Sequence, residues 1–217
     1  MGECVTGAEV AYSGDDEDEL CTGPCADRRE VLETLSLTAG TLACGMGLMT
    51  SHPAFAATDP ASARPRQGDR FVVTSAGALQ NQLVRPDLLP VGKKPVTAYP
   101  IDVDANIVRR NSRLNRMLVL RLDPEKMDAE TKAASVEGVL AYSAVCTHKG
   151  CTIAAWRDNE KHLRCHCHLS EFAALSAGEV MTGPASRPLP YVPLTLDSDG
   201  RIMAKKGFNR RPGRSKN

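Results

Sequence analysis

The 217-residue chain reads as an all-β protein, a small antiparallel β-sandwich. Two observations predict this class. Short apolar runs recur along the second half of the chain and are separated by turn-forming residues, the pattern of a sandwich built from several short strands. Only one segment carries a helix start. Hydrophobic residues make up 42% of the chain, as in ordinary globular proteins, but aromatics only 4%, so the core is expected to rest on Val, Leu, Ala and Ile.

The chain divides by charge before it divides by structure. Residues 1–56 hold ten acids and two bases, a net −8, whereas residues 57–217 hold 25 bases and 16 acids, a net +9. A basic body of this kind suits an acidic redox partner or anionic headgroups, or is simply a solvated arginine-rich surface. Nucleic acid is not expected as a partner, because there is no basic helix with interleaved aromatics. The run Asp15-Asp16-Glu17-Asp18-Glu19 repels itself and marks an unstructured opening. Cys4, Cys21 and Cys25 lie here with no histidine among them, which gives little support for a metal site.

Arg28-Arg29 is followed by an uncharged stretch, 34–51, and then by Ala54-Phe55-Ala56, a small-x-small pattern suited to signal peptidase. Residues 1–56 therefore read as a polar extension plus a twin-arginine-type export signal. Asp27 and Glu33 depart from the usual residues around the arginine pair, and Cys44 lacks the leucine expected before a lipid-attachment site. Left uncleaved, the uncharged stretch approaches the length of a spanning helix of about 20 residues and would anchor the protein. Gly40, Gly45 and Gly47 make it a poor one, so cleavage is the expectation.

Residues 57–68, with Pro60 and Pro65, read as a linker, 69–208 as the folded domain and 209–217 as a basic, disordered tail. Phe71-Val72-Val73 opens the first strand; 95–103 and 117–122 supply two more. Asp123 at a cap with Pro124 in the first turn predicts a surface helix to about residue 134. The segment 138–145 reads as a buried strand and 161–164 as another, with Asp158-Asn159-Glu160 as the turn of a hairpin-like unit between them. Trp156 is expected to pack under a loop. Residues 191–196 and 201–204 complete the strands across the turn 197–200.

The chemistry is concentrated where the two buried strands end. Cys146-Thr147-His148-Lys149-Gly150-Cys151 and Cys165-His166-Cys167-His168-Leu169-Ser170 each offer a thiol and an imidazole close together, and each carries one further thiol. Four of the chain's eight cysteines fall within positions 146–168. Structural zinc and a plain disulfide framework remain competing readings, although zinc fingers usually pair Cys with Cys and His with His rather than mixing them in each half-site.

The two runs resemble the boxes Cys-x-His-x-Gly-Cys and Cys-x-Cys-His-x-Ser of the Rieske iron–sulfur protein family, a resemblance that covers roughly residues 139–208. It implies a Rieske-type [2Fe-2S] cluster on a Rieske-like β-sandwich, with a cluster-binding subdomain at about 140–188. Cys146 and Cys165 would ligate the buried iron, His148 and His168 the outer iron, and Cys151 and Cys167 would pair as a disulfide. Histidine in place of thiolate makes the cluster less negative, so potentials of about −150 to +300 mV replace the about −400 mV of plant-type ferredoxins. By the same resemblance Ser170 donates a hydrogen bond to a bridging sulfur, and Gly183-Pro184-Ala185 matches the loop that covers the cluster. Phe172 stands where quinol-oxidising members carry tyrosine, which implies an intermediate potential.

These features imply an electron-transfer subunit with no substrate chemistry of its own. The partner would be a molybdenum oxidoreductase large subunit, as for the small subunit of arsenite oxidase, which the chain resembles in size, export signal and box pattern, or a cytochrome b or c. A membrane-anchored Rieske subunit of a quinol:cytochrome c reductase is the alternative. Lys149 counts against it, since an ammonium entering an apolar quinol pocket would be desolvated. An aromatic-ring oxygenase would need a further two-histidine, one-carboxylate iron site, for which only His52, His162 and His166 remain. Localisation is expected to be periplasmic.

Overall fold

The computed structural model describes residues 59–214. Its strands are β1 (Arg70–Val73), β2 (Val96–Asp102), β3 (Ile107–Val108), β4 (Met117–Arg121), β5 (Val139–Ser143), β6 (Ala155–Arg157), β7 (His162–Arg164), β8 (Glu171–Ala173), β9 (Glu179–Thr182), β10 (Leu194–Leu196) and β11 (Ile202–Ala204). A five-stranded sheet runs β1-β2-β4-β5, with β3 on the β2 edge; β6-β7-β8-β9 form a four-stranded sheet and β10-β11 a two-stranded one. Every ladder among these strands is antiparallel, so the protein is the all-β sandwich expected.

β4 and β5 explain the layering. Their apolar runs do not alternate with polar residues, because both faces are covered. Successive side chains point to opposite faces of a strand. Leu118, Leu120, Leu140 and Tyr142 accordingly enter one core with Leu163 of β7 and Phe172 of β8. Met117, Val119, Val139 and Ala141 enter a second core with Phe71 and Val73 of β1, Leu194 of β10 and Ile202 of β11. Each fully buried side chain of this size contributes about 1.5–3 kcal/mol. With one core on each face, the β4–β5 pair is the rigid floor from which the first Cys/His loop rises.

The helix expected from Asp123 is divided. Asp123 caps a 3-10 turn at Pro124–Lys126, Met127 is extended, and Asp128 caps α1 (Ala129–Ala134), accepting from the Thr131 amide at 2.6 Å. Two capping aspartates close together each start a turn, so neither turn propagates into the other. The hairpin is present as β6–β7, but β5 lies in a different sheet, so the two boxes hang from separate layers. The strand β3 is only two residues long, and β6, β8 and β9 are short and mix polar with apolar residues, so none stands out in the sequence.

Residues 59–68 lie against the β3 end of the sheet. Asn111 donates to Asp59 at 2.7 Å, and buried Asn115 donates to the carbonyls of Ala63 at 2.6 Å and Arg109 at 3.0 Å. Arg109, 1% exposed, grips Asp69 through two bonds of 2.7 and 3.0 Å and also reaches Asp102 and the Pro60 carbonyl. At the other end, the tail is ordered through residue 214, contrary to the disorder expected. Asn209 exchanges bonds with Tyr191, and Arg187 donates to the Arg211 and Gly213 carbonyls. Among the described residues no helix is long and apolar enough to cross a membrane. The acidic run, the arginine pair, the Ala54–Ala56 motif and Cys4, Cys21, Cys25 and Cys44 lie outside the described residues.

Candidate metal centre

The first box is a loop pinched shut at its base. Beyond β5, Ile153 N–H donates to Ala144 C=O at 2.8 Å, Cys146 N–H to Cys151 C=O at 2.9 Å, and Gly150 N–H back to Cys146 C=O at 3.0 Å. Gly150 has φ +79°, a left-handed conformation that glycine adopts without a Cβ penalty. Thr147 is fully buried, and its Oγ1 donates to the Arg187 carbonyl at 2.8 Å. Arg113 Nη1 reaches the Gly150 carbonyl at 2.5 Å. These bonds hold the loop in one shape.

The second box turns between β7 and β8. Cys165 N–H donates to Ser170 C=O at 2.9 Å, closing a tight loop in which Leu169 takes φ +59° and is 51% exposed. Cys151 and Cys167 form a disulfide across 16 positions, joining the two loops. The Cys165 sulfur lies within 4.8 Å of both bridged sulfurs.

The candidate donors sit at graded depth. Cys146 and Cys165 are free thiols, each 1% exposed. His148 is half-buried and His168 exposed, with ring centroids 4.6 Å apart and planes at 88°. Burial pushes the Cys146 thiol up to about 11, and the Cys165 thiol beside it adds to the rise, while the backbone amides of His148 and Lys149 oppose it. A thiolate at such a site needs a cation, which a metal centre supplies. Desolvation, with the neighbouring His168 and Lys149, lowers the His148 pKa, keeping the ring neutral as a ligand must be. His148 Nδ1 is buried without a hydrogen-bond partner. A buried imidazole nitrogen without a partner, on the same loop as one of two buried thiols, fits a two-iron centre, whose ligands would divide into a sulfur pair and a nitrogen pair. The sulfurs of Cys151, Cys165 and Cys167 lie within 4.8 Å of one another, but two of them are bridged and not available as ligands.

The flanking residues come together as follows. Ser170 is fully buried, and its Oγ accepts from Ala185 N–H at 3.2 Å, which leaves the hydroxyl proton to be directed elsewhere. Gly183, at φ +86°, lies so close that a Cβ there would stand 2.5 Å from Ser170 Cα and 2.9 Å from the Leu169 carbonyl oxygen. The segment Gly183-Pro184-Ala185 therefore lies against the second box, with Pro184 exposed. Phe172 is fully buried and pairs in register with Leu163 inside the core. Trp156 is partly buried on β6, donating to Asp158 at 3.1 Å with the Lys161 ammonium 5.8 Å from the ring centroid. Sequence reasoning missed Thr147 and Arg187, which brace the first loop; the boxes leave position 147 open, and nothing in the sequence ties Arg187 to them.

A family model described as the Rieske [2Fe-2S] domain matches residues 94–193, a span that contains both boxes and the 183–185 loop. The chain carries a Rieske [2Fe-2S] domain. Its cofactor is accordingly a Rieske-type [2Fe-2S] cluster. The Rieske domain is similar to that of the cytochrome bc1 complex Rieske iron-sulfur subunit of Streptomyces lividans, 33% identical over 93 residues, covering 42% of this chain and 55% of that one. The putative respiratory nitrate reductase subunit Rieske of Haloferax mediterranei is 38% identical over 93 residues, covering 43% and 41%. Among solved structures, the soluble domain of the Rieske protein II from Sulfolobus acidocaldarius aligns with a TM-score of 0.38 at 25% identity, over 46% of this chain and 65% of that one. The chain thus spans about half, or less, of the length of these curated relatives.

Proposed function

We propose that this protein carries one electron at a time as a subunit of an exported oxidoreductase or respiratory chain complex. Cys146 and Cys165 hold the inner iron of its cluster, and His148 and His168 the outer iron. The observation that carries this reading is the graded donor set: two buried thiols and two facing imidazoles nearer the surface, on loops clamped by the Cys151–Cys167 disulfide. When bound, the cluster takes up and releases a single electron at a potential set by its surroundings.

The chain's own residues make that possible in separate ways. The two thiols are buried away from water, while the half-buried and exposed imidazoles mark the side from which a partner approaches. Desolvation keeps His148 neutral. Thr147, through the Arg187 carbonyl, holds the first loop still, and the disulfide keeps the two loops at a fixed spacing, so little has to reorganise when the charge changes. The segment 183–185 packs over Ser170 at the end of the second box.

Export by the twin-arginine route through Arg28-Arg29 is part of the proposal, as is a soluble partner of the molybdenum oxidoreductase kind. The second reading, a subunit of a quinol:cytochrome c reductase, is favoured by relatives that carry the cytochrome bc1 name. Exposed Lys149 at the tip of the first box argues against entry into an apolar pocket. The ligand assignment is tested by the electron paramagnetic resonance spectrum of the reduced protein, expected to show a low average g value. Replacing His148 and His168 together must abolish that spectrum; an unchanged visible absorption would overturn the assignment. A mature N-terminus near Ala57 separates the soluble reading from the anchored one.

A further inference from the structure

Beside the first box lies a recess of about 390 Å3 lined by Arg113, Lys149, Arg211 and Arg214. No carboxylate lines it. All four bases are exposed, and none makes an ion pair among the described residues. Elsewhere the arginines are mostly matched: Arg70 meets Asp197, Arg85 meets Asp87 and Arg201 meets Asp199. Four unpaired cations lining one recess with no carboxylate among them make it a concentrated patch of positive charge.

The recess is also built rather than incidental. Arg187 donates to the carbonyls of Arg211 and Gly213, which fixes the tail as one wall, and its own carbonyl accepts from Thr147 inside the first box. Arg113 ties the opposite wall to the Gly150 carbonyl. Arg64 and Arg187, which flank the tail, are destabilised as cations, first by desolvation and then by repulsion from Arg211. Cations held close together by backbone bonds repel one another, and an incoming cluster of carboxylates relieves that repulsion.

We propose that this recess is a docking surface for an acidic patch on the redox partner protein, whose carboxylates engage Arg113, Lys149, Arg211 and Arg214 and so bring the partner to the His148 edge. Lys149 follows His148 directly, so a partner held there stands beside the more exposed pair of donors. The proposal rests on the electron-carrier reading and names the chemistry of its partner. Electrostatic complementarity of this kind governs encounter rate and register, and it weakens as salt rises.

The test uses the purified holoprotein and a fluorescein-labelled oligoglutamate peptide, with binding followed by fluorescence anisotropy at low and at physiological salt. The double variant Arg211→Glu, Arg214→Glu alters exposed side chains and leaves in place the Arg211 and Gly213 carbonyls that Arg187 bonds. It is expected to weaken binding about tenfold or more at low salt, because two attractions become repulsions. The charge-matched control Lys205→Glu, Lys206→Glu, exposed and outside the recess, is expected to weaken binding less than the recess variant does, and at physiological salt by less than about twofold, because these side chains do not line the recess and salt screens exposed charges. Absence of binding by the unaltered protein, equal weakening in both double variants, or displacement of the peptide by equimolar inorganic phosphate would each overturn the proposal. Electron paramagnetic resonance on the same samples separates the two readings: an intact spectrum with failed binding refutes the docking surface and leaves the electron carrier standing.

Discussion

Ser170→Ala separates two tasks that converge on one oxygen. Ser170 Oγ is fully buried and accepts from the Ala185 amide at 3.2 Å, and its own proton would be free to donate to a cluster held by the two boxes. Alanine removes both bonds. The Ala185 N–H then loses its partner, and leaving a buried donor unsatisfied costs about 1–3 kcal/mol. Loss of the donated bond acts on the potential. Hydrogen bonds to charged groups contribute about 1.5–3 kcal/mol, and only the excess strength in the reduced, more negative state counts. If that excess is about 1.4 kcal/mol, a factor of ten, the midpoint falls by about 59 mV for a one-electron couple. Voltammetry and thermal melting of the same preparation are the assay, with a drop of about 60 mV or more and a lowered melting temperature expected. A melting temperature that falls while the potential stays where it was would refute the donor role and leave Ser170 as a brace for the 183–185 loop.

Replacing Cys151 and Cys167 with serine opens the disulfide that closes a 16-residue separation. Loops of that length give a stabilisation of about 3 kcal/mol, so denaturant unfolding should shift by that amount, with faster loss of visible absorption on heating. Arg109→Ala strands the buried Asp69 carboxylate and should cost about 3–5 kcal/mol by denaturant titration, whereas Arg66→Ala, 64% exposed, should cost about 1 kcal/mol or less. In acid the protein should lose stability. Asp197 is held below the ordinary carboxylate range chiefly by the Arg201 amide, and Asp102 by the Ala105 amide and then Arg66. Because the folded pKa values are depressed, their contribution is fully present above the unfolded value of about 3.9 and disappears as pH falls through the folded ones. The melting temperature should therefore show no loss from these groups between neutral pH and about pH 5 and decline below about pH 4; no acid-side decline, or one centred near pH 6, would contradict this.

The two boxes were legible because metal chemistry demands particular side chains at particular spacings; the Rieske domain match spans both boxes, and the structure joins their loops through the Cys151–Cys167 disulfide. The strands β4 and β5 were legible for a different reason: both faces are buried, so their residues are apolar without interruption. Where burial is partial the signal fades. Three of the four β9 residues are exposed and no β6 residue is fully buried, so neither stands out as a run. Asp123 was rightly a cap, but Asp128, a second cap, ended what the first began. The disordered tail was misread for want of Arg187, whose bonds to the Arg211 and Gly213 carbonyls join positions far apart in the chain.

By itself the sequence determined the two boxes, the cofactor type they resemble and the class of fold, because motif spacing and strand patterning are local properties written in neighbouring residues. Tertiary structure decided the rest: that the thiols lie deep and the imidazoles shallow, that Ser170 meets Ala185, and that the tail lies beside Lys149 to leave four cations without a counter-charge. Burial and charge crowding are sums over side chains brought together from distant parts of the chain, so no stretch of sequence contains them until the layers close.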